Sequence, residues 1–303
     1  MKAICVDTTQ EDRPLLWQET NDPALGTDEV LVEIHATALN RADLSQRAGN
    51  YPPPSGASEI LGLEMAGVIR ALGANVTGWR VGERVCALLP GGGYAEQVAV
   101  PQQMLMPIPE GWTFAQAAAV PEVFLTAYVN LYMEANLQPG ETVLVHGGAS
   151  GVGTAAIQMC KQRGNPVFVT AGAEDKCQRC GELGATLAVN YRTSDWAETV
   201  RTATNGAGVD VILDMVGANY LSQNVGLLRL KGRLVFISTL SGSRAEIDLR
   251  HLMGRRLRLI GSVLRSRSLA EKVEIKERFM QQFWPHLLSG EIVPVIDCVL
   301  PIQ

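Results

Sequence analysis

The sequence predicts an α/β protein in which a β-rich part precedes a doubly wound parallel sheet. One observation behind this prediction is the stretch from Glu141 to Gln158, where an apolar, β-branched run is followed by a glycine turn and then by good helix-forming residues. Another is a change of pattern near residue 122, from short strands broken by Gly and Pro to alternating strands and helices. Strand, glycine turn and helix in this order are typical of nucleotide-binding folds.

The second part of the chain contains six candidate strands, the number that a six-stranded dinucleotide-binding (Rossmann) sheet requires. The first ends at His146, and the others are predicted at 166–172, 187–191, 209–217, 232–240 and 256–264. Helices are predicted near 174–183, 195–204, 218–229 and 268–289, and the final VPVIDCVLPIQ predicts a short strand. We therefore predict a nucleotide-binding domain over 122–264, and a second domain formed by 1–121 and 265–303.

The first part reads as a series of short strands separated by turn residues. The strands are predicted in the stretches KAICVD, EVLVEIHATALN, GVIRAL, RVCALL and GYAEQVAV. A segment of this kind predicts an antiparallel, β-rich domain.

The glycine turn predicts a site for a pyrophosphate. Gly148, Ser150 and Gly153 occupy the three small-residue places of G-x-G-x-x-G, with Gly151 beside them and Val152 opening the helix. Small residues here allow the turn, the approach of backbone N–H groups to a phosphate and the packing of the helix on the strand. The positive end of the helix dipole then faces the phosphates. A plain joint between a strand and a helix is the alternative interpretation.

The tip of the second strand of this sheet indicates which nucleotide is bound. Folds specific for NAD carry an acidic residue there for the ribose hydroxyls, whereas this chain has small residues ending at Gly172. Lys176 follows within one helical turn and Tyr191 ends the next strand, so both can reach a 2′-phosphate. The neighbouring Glu174 and Asp175 argue for NADH. We expect NADPH to be the cofactor.

Composition excludes several classes of protein. With 303 residues, 47% hydrophobic and 19% charged, the chain resembles an ordinary soluble enzyme, and its formal net charge of −5 disfavours nucleic acid as a partner. No apolar run reaches the length of a membrane span. Because Met1–Thr9 lacks the apolar core of a signal peptide, we expect a cytoplasmic protein. The six cysteines show no disulfide framework.

Long motifs give the chain a specific resemblance. It resembles the zinc-free quinone oxidoreductase branch of the medium-chain dehydrogenase/reductase superfamily in the stretches ALNRADLSQRAGNYPPPSGASEILGLEMAGVI, VGERVCALLPGGGYAEQV, MPIPEGWTFAQAAAVPEVFLTAY and HGGASGVGTAAIQ. The motifs YPPP, LLPGGG and SVLRSR are similar to the tumour-suppressor-inducible quinone oxidoreductase subgroup rather than to zeta-crystallin. Members usually continue past the position of Gln303 with a helix and a strand, so we expect either a shortened sequence or an exposed sheet edge.

The resemblance implies a GroES-like catalytic domain, a Rossmann domain, a cleft between them and a homodimer. It also aligns Asn40, Leu63 and Glu122 with the catalytic zinc ligands of alcohol dehydrogenases of the same superfamily. An amide and a leucine cannot replace thiolate and imidazole as zinc ligands, so no metal is expected. Without a Lewis acid, alcohol oxidation is disfavoured. A substrate such as a quinone can accept hydride unaided, because its product anion is delocalised.

The same resemblance assigns the catalytic and substrate-binding residues. Asn40 is expected to donate to a substrate oxygen, and a turn-capping asparagine is its alternative role. Tyr51 is expected to line the pocket as a wall or proton donor, or else only to pack. Leu63 completes the substrate wall, and Thr126 is expected near the nicotinamide unless it hydrogen-bonds its own helix. Asp43 either holds the Asn40 loop or is simply an acid in a first helical turn.

Further cofactor contacts are expected at the ends of the later strands. Val216 and Gly217 close the fourth strand and Ser238 follows the fifth, where they would flank the adenosine and its ribose. By resemblance, the backbone of Leu264, Arg265 and Ser266 would meet the nicotinamide carboxamide. Arg265 is equally compatible with a simple surface or interface arginine.

These expectations combine into one predicted function, an NADPH-dependent reductase of small quinones. The alternative within enzymes is reduction of an activated carbon–carbon double bond in an enone or enoyl thioester. A third hypothesis is a non-catalytic, crystallin-like protein that binds NADPH or RNA. A homodimer is expected, paired through the strand RLRLIGSV across a two-fold axis.

Overall fold

Two units make up the chain in the computed structural model, which describes residues 1–302. One unit comprises Met1–Glu122 together with Arg265–Gln303, and the other comprises Val123–Leu264. The boundary predicted before residue 122 therefore lies one residue away. Glu122 belongs to the first unit, where its backbone N–H donates to the Glu64 carboxylate at 2.8 Å.

The first unit is built on antiparallel strands. Within the described residues its strands are β1 Lys2–Val6, β2 Leu15–Glu19, β3 Glu29–Ala36, β4 Glu64–Leu72, β5 Arg84–Leu88, β6 Gln97–Pro101 and β7 Met106–Pro107. The five-stranded sheet has the order β6-β3-β4-β5-β7, and β1 pairs with β2 separately. β2 was not predicted, because LLWQE is short and lies between polar residues.

Alternation of buried and more exposed side chains explains β3, an inner strand of that sheet. Val30 and Val32 of β3 are fully buried, whereas the side chains between and after them are partly exposed. β3 ends at Ala36, and α1 (Arg41–Arg47) begins directly after Asn40. The short α2 (Phe114–Ala118) begins after Thr113, whose hydroxyl accepts from the Gln116 N–H.

The second unit contains the predicted six-stranded parallel sheet. Its strands are β8 Val143–His146, β9 Val167–Ala171, β10 Leu187–Asn190, β11 Val209–Asp214, β12 Leu228–Phe236 and β13 Arg258–Gly261. Their order is β10-β9-β8-β11-β12-β13, and every pairing is parallel. This is the doubly wound order, in which ligands bind at the carboxyl ends of the strands where the order reverses. The α/β prediction with a Rossmann sheet is confirmed.

Helices connect the strands of the second unit. They are α3 Pro121–Tyr128, α4 Gly151–Gln162, α5 Glu174–Leu183, α6 Trp196–Ala203, α7 Leu221–Leu227 and α8 Leu249–Arg255, and a π-helical turn over Val129–Glu134 extends α3. α6 begins where the Asp195 carboxylate accepts from two backbone N–H groups. α5 ends at Gly184, whose φ of 117° stops the helix.

The core of the second unit shows why one predicted boundary is wrong. A helix was predicted up to residue 229, but β12 begins at Leu228. Leu228 pairs with Val209 of β11 and is fully buried. It packs in a cluster with Leu144, Trp196 and Ile212. Burial against neighbouring strands therefore overrides the local helix preference.

The last elements belong to the first unit. α9 runs over Leu269–Leu288 as predicted, and its start is fixed by reciprocal hydrogen bonds between Ser268 and Glu271. The strand predicted in VPVIDCVLPIQ is absent from residues 293–302, where the segment pairs with no neighbouring strand, and Gln303 lies outside the described residues. None of the helices in residues 1–302 is both long and apolar enough to cross a lipid bilayer.

Candidate functional site

The glycine turn joins β8 to α4 in the second unit. Ser150 is the residue that caps α4, and its hydroxyl accepts from the Gly153 N–H at 3.1 Å. Gly153 must be small, because a Cβ there would lie 2.4 Å from the Gly147 carbonyl oxygen and 2.6 Å from that of Gly148. The turn is therefore packed against the start of the helix, as the spacing of small residues predicted.

The first residues of α4 present unused backbone donors. Within the described residues, the N–H groups of Gly151 and Val152 have no hydrogen-bond acceptor. Those of Ser150 and Gly153 are satisfied inside the turn, and that of Gly148 donates to the Thr170 carbonyl oxygen of β9 at 2.8 Å. Gly151 is exposed and Val152 is partly exposed. Two free donors at a helix N-terminus form a site suited to an anion such as a pyrophosphate.

A second group of predicted residues meets at the end of β9. A Cβ added to Gly172 would lie 2.6 Å from the Tyr191 hydroxyl oxygen, so Tyr191 packs directly over Gly172. Tyr191 is 42% exposed, and Lys176 is exposed on the first turn of α5. The corner thus presents a hydroxyl group over a small residue, with a lysine on the helix that follows.

The loop after β11 carries Val216 and Gly217. Their backbone N–H groups donate to the buried Asp214 carboxylate, at 2.6 Å from Val216 and 3.2 Å from Gly217. Gly217 has a φ of 88°, and a Cβ there would lie 2.8 Å from the Gly242 carbonyl oxygen, so glycine is required. Ser238 is partly buried two residues after β12.

The predicted cofactor contacts Leu264, Arg265 and Ser266 lie beyond β13, on both sides of the division between the units. Leu264 ends the second unit with 7% exposure, and Arg265 begins the return to the first unit. Ser266 is exposed. The interpretation of Arg265 as a surface arginine is wrong, because its side chain is only 6% exposed. That side chain is held by hydrogen bonds within the first unit.

Arg265 fixes the loop that carries Tyr51. Its guanidinium donates to the Pro90 carbonyl oxygen at 2.8 Å, to the Tyr51 carbonyl oxygen at 3.3 Å and to Gln46 Oε1 at 2.8 Å. It also lies 5.1 Å from the centre of the Tyr51 ring. Burial and the nearby Glu122 carboxylate raise the pKa of Tyr51, while Arg265 opposes them. Tyr51 therefore keeps its proton at neutral pH.

A buried carboxylate organises the surroundings of Asn40. Glu64 is fully buried, and its Oε1 accepts from Asn40 Nδ2 at 2.7 Å while its Oε2 accepts from the Glu122 N–H at 2.8 Å. Burial raises the pKa of Glu64 to about 7. Burial, followed by the charge of Glu64, raises the pKa of Glu122 to about 8. One hydrogen of the Asn40 amide remains for another acceptor.

Asp43 holds the backbone on either side of Asn40. Its carboxylate accepts from the Asn40 N–H at 2.8 Å, from the Tyr94 hydroxyl at 2.7 Å and from the Gly62 N–H at 3.2 Å. Asp43 is also in the first turn of α1, and Asn40 is the residue that precedes that helix. Both interpretations of Asp43 therefore apply together. Asn40 starts the helix and directs its amide at Glu64, and its donation to a substrate oxygen stays a prediction.

The remaining two predicted residues differ in accessibility. Leu63 is 1% exposed, so its side chain has almost no surface with which to contact a substrate. Thr126 is partly exposed on α3 in the second unit, where its carbonyl oxygen accepts from Asn130 Nδ2 at 2.7 Å. Asn40, Tyr51 and Leu63 therefore belong to the first unit and Thr126 to the second.

Sequence reasoning missed the residues that hold these side chains in place. Glu64, Tyr94 and the side chain of Arg265 are buried polar groups, and none was predicted to act at the site. One signal was available for Glu64, since it is the single charged residue in the apolar run ILGLEMAGVI. A lone acid in a strand buried on both faces indicates a polar network.

Comparison with known proteins gives the family. Residues 26–110 match the model described as "Alcohol dehydrogenase GroES-like domain", and residues 151–280 match the model described as "Zinc-binding dehydrogenase". The chain is 32% identical to a rat protein named quinone oxidoreductase, over 93% of this chain and 84% of that protein. It belongs to the zinc-free, quinone oxidoreductase-like family of medium-chain dehydrogenases/reductases.

Other relatives resemble the chain over part of its length. It is 41% identical to the pikromycin polyketide synthase component PikAII of Streptomyces venezuelae, over 70% of this chain. The chain spans only 6% of that much longer protein. It spans about half the length, 46%, of the zebrafish VAT-1 homolog, with which it is 37% identical over 74% of this chain.

Solved structures with the same fold include enzymes named for different reactions. Escherichia coli quinone oxidoreductase in complex with NADPH has a TM-score of 0.85 at 27% identity, covering 99% of this chain and 91% of that one. CurK enoyl reductase has a TM-score of 0.86 at 29% identity, covering 99% and 92%. An NAD-dependent alcohol dehydrogenase has a TM-score of 0.87 at 31% identity, covering 100% and 93%. The chain therefore has the GroES-like and Rossmann architecture of the medium-chain oxidoreductases.

The second unit fits the nicotinamide cofactor of this family. Its fit rests on the two unused N–H donors at Gly151 and Val152 and on the hydroxyl-lined corner at Gly172 and Tyr191. For a metal, the positions aligned with zinc ligands hold Asn40, Leu63 and Glu122, a set with one ionisable side chain. Among residues 1–302, no three His, Cys, Asp or Glu side chains are grouped as a metal site requires.

Proposed function

We propose that this chain is an NADPH-dependent quinone reductase. The observation that carries the proposal is the hydrogen bond from Asn40 Nδ2 to the buried Glu64 Oε1 at 2.7 Å. It fixes an amide donor at a position aligned with a zinc ligand in related alcohol dehydrogenases. The second hydrogen of that amide can donate to a quinone oxygen, where negative charge develops during reduction.

The first unit supplies the groups that act on the substrate. Reduction of a quinone to a hydroquinone consumes one hydride and one proton, and the nicotinamide supplies the hydride when the cofactor is bound. Asn40 would stabilise the developing oxyanion, and Tyr51 would donate the proton. The hydrogen bonds from Arg265 hold the Tyr51 loop in one position. Positioning of this kind accounts for catalysis without a strong acid or base.

The second unit supplies the cofactor site in this proposal. Gly151 and Val152 would donate to the pyrophosphate, while Lys176 and Tyr191 would contact the 2′-phosphate that distinguishes NADPH from NADH. Thr126 and the residues that follow β11, β12 and β13 complete the predicted contacts. The related Escherichia coli quinone oxidoreductase forms a complex with NADPH, which supports this choice of cofactor.

Reduction of an activated carbon–carbon double bond is the second candidate function. The resemblance to CurK enoyl reductase and the 41% identity with a polyketide synthase component support it. The same donors at Asn40 and Tyr51 would then stabilise and protonate an enolate. The two reactions are distinguished by the substrate that is turned over. Reduction of the double bond requires protonation of a carbon atom, whereas reduction of a quinone requires protonation of oxygen alone.

A comparison of substrates and cofactors tests the proposal. NADPH and NADH are each offered with an ortho-quinone, a para-quinone and a simple enone, and nucleotide consumption is followed. We expect rapid consumption of NADPH with the quinones alone, and turnover confined to the enone would replace the proposal by double-bond reduction. In the Asn40→Leu variant we expect kcat to fall roughly a hundredfold, because one oxyanion donor is lost. The Kd for NADPH should stay unchanged.

We also propose that the enzyme is a cytoplasmic homodimer. β13 is an outer strand of the six-stranded sheet, and within the described residues it pairs only with β12. Pairing of two copies of β13 across a two-fold axis would cover both edges. Light scattering on the purified chain measures the mass directly, and a monomeric mass would remove this part of the proposal.

A further inference from the structure

A chain of buried polar side chains crosses the second unit at the carboxyl ends of β8, β9 and β11. His146 Nδ1 lies 3.0 Å from Thr170 Oγ1, and His146 Nε2 lies 2.7 Å from Asn224 Oδ1. Asn224 Nδ2 donates to Asp214 Oδ2 at 3.1 Å. Thr170 is 1% exposed and the other three are fully buried. We call these four residues the polar chain.

Each end of the polar chain contacts a loop that the proposed function assigns to the cofactor. At one end, Thr170 Oγ1 accepts from the Gly147 N–H at 3.4 Å, in the glycine turn. At the other end, the Asp214 carboxylate accepts from the N–H groups of Val216 and Gly217. The polar chain is therefore a continuous path of hydrogen bonds from the turn that follows β8 to the loop that follows β11.

The acceptors and donors of the polar chain specify one arrangement. An ionised Asp214 only accepts, so the Asn224 amide turns its NH₂ toward Asp214 and its oxygen toward His146. His146 must then carry its hydrogen on Nε2, which leaves Nδ1 to accept from the Thr170 hydroxyl. Only a neutral His146 can both donate to the Asn224 oxygen and accept from the Thr170 hydroxyl.

Stability alone does not account for polar groups at these positions. The rest of β8 is apolar and fully buried, and apolar side chains at the same places would avoid the cost of removing polar groups from water. Trp196 and Tyr220 pack edge-on against His146, with ring centres 4.7 and 4.8 Å away. A satisfied network shielded from water is rigid and specifies one geometry.

We propose that His146, Asn224 and Asp214, with Thr170, are positioning residues. They hold the glycine turn and the loop after β11 in the relative positions that the nicotinamide cofactor requires. The inference rests on the proposed function, because both loops are assigned to the cofactor there. The polar chain itself does not touch the nucleotide. It fixes the backbone of the two loops that the proposed function assigns to the cofactor, so cutting it at either end loosens one loop relative to the other.

Variants at the two ends of the polar chain test this inference. Thr170→Val removes the hydroxyl that joins His146 to the Gly147 N–H, with little change in volume and with a residue favoured in strands. Asn224→Leu removes the link between His146 and Asp214. For each variant the Kd for NADPH is measured by fluorescence titration of the full chain, and the free energy of unfolding is measured in urea. We expect each substitution to weaken NADPH binding about tenfold.

Asn165→Leu is the matched control. Asn165 is also a buried amide of the second unit, 4% exposed, and it donates to the Gln138 and Glu141 carbonyl oxygens before β8, at the opposite end of the sheet. Its substitution should lower the free energy of unfolding to a similar extent as Asn224→Leu while leaving the Kd within twofold. An equal loss of affinity in the control would mean that stability alone explains the result, and would overturn the inference.

The double variant provides a second, independent readout. Because Thr170→Val and Asn224→Leu cut the same path, their combined loss of affinity should stay close to the larger single loss instead of reaching about a hundredfold. Unchanged affinity in both single variants would overturn the inference while leaving the proposed function in place. A wild-type chain that binds neither NADPH nor NADH would remove both.

Discussion

Each unit fully buries an ionisable side chain, Glu64 in the first and His146 in the second, and burial shifts their pKa values in opposite directions. In the first unit, burial raises the pKa of Glu64 to about 7. In the second unit, burial lowers the pKa of His146 to about 4. The cause is the same in both, since an apolar environment disfavours whichever form carries the charge. For a carboxylic acid this favours the protonated form, and for a histidine the unprotonated one.

This difference teaches that Glu64 and His146 should make opposite contributions to the pH dependence of stability. Buried Glu64 and Glu122 of the first unit are accommodated best when protonated, so their contribution to stability is lost as the pH rises. Buried His146 of the second unit is accommodated best when neutral, so its contribution to stability is lost as the pH falls. Both networks serve the proposed function at neutral pH, where Glu64 is close to its pKa and His146 is unprotonated.

The largest expected effect is that of Glu64. Between about pH 4.5 and 7 the unfolded chain releases the Glu64 proton while the folded chain retains it, so the free energy of unfolding falls by about 3 kcal/mol as the pH rises. Glu122, shifted in the same direction, steepens this fall. Glu64→Gln cannot titrate and should flatten the fall by about 3 kcal/mol. Hydrogen exchange of amides in β3 and β4, measured across this range, reports on the first unit alone.

Glu59→Gln is the control for this prediction, because Glu59 is an exposed carboxylate of the same unit. A side chain that stays in water is not shifted by burial, so the free energy of unfolding of this variant should depend on pH as that of the wild type does. If the free energy of unfolding of Glu64→Gln fell with pH as steeply as that of the wild type, the assignment of the pH dependence to Glu64 would be contradicted.

The second effect has the opposite sign and is that of His146, while Asp214 of the same polar chain, whose pKa is raised by burial, acts against it. Between pH 6.5 and about 4, His146 is protonated in the unfolded chain but not in the folded chain. The free energy of unfolding therefore falls by about 3 kcal/mol as the pH drops. His146→Gln remains neutral and should remove that loss. Exchange of amides in β8 and β11 measures it in the second unit. His35→Gln, at an exposed histidine of the first unit, should leave the loss of stability at acidic pH unchanged.

Local patterns explain how much of the fold could be predicted. The glycine turn, α5 over Glu174–Leu183 and the six parallel strands are specified by neighbours in sequence, through apolar runs, caps and turn residues. The segment 293–302 shows the limit of such patterns. It has the composition of a strand, but a strand forms only against a partner, and composition does not say whether one is present.

The sequence predicted candidate residues for the site but not the residues that hold them in place. Asn40 and Tyr51 could be identified from motifs, whereas their anchors are distant in sequence. Glu64 lies 24 residues from Asn40, and the Gln46 side chain that receives a hydrogen bond from Arg265 lies 219 residues from it. Contacts of that range depend on how strands and loops fold together, which no local pattern encodes. The surface interpretation of Arg265 was wrong for this reason.

The smallest expected effect comes from an exposed charge, Lys176. It sharpens the comparison because, unlike Glu64 and His146, it lies in water, where charges are screened and interact weakly. If Lys176 contacts the 2′-phosphate, Lys176→Ala should raise the Kd for NADPH about tenfold and leave the Kd for NADH within twofold. The loss should shrink at high salt. Fluorescence titrations with both nucleotides at two salt concentrations measure it.

Lys161→Ala is the matched control for Lys176, since Lys161 is an exposed lysine in the last turn of α4, at the far end of that helix from the proposed pyrophosphate site. It removes the same charge from the same unit, so a general change in electrostatic potential would weaken NADPH binding in both variants. A loss confined to Lys176→Ala and to NADPH therefore requires a contact with the 2′-phosphate. Equal weakening of NADPH and NADH by Lys176→Ala would instead place the lysine near the pyrophosphate or the ribose, and the preference for NADPH would then depend on Tyr191.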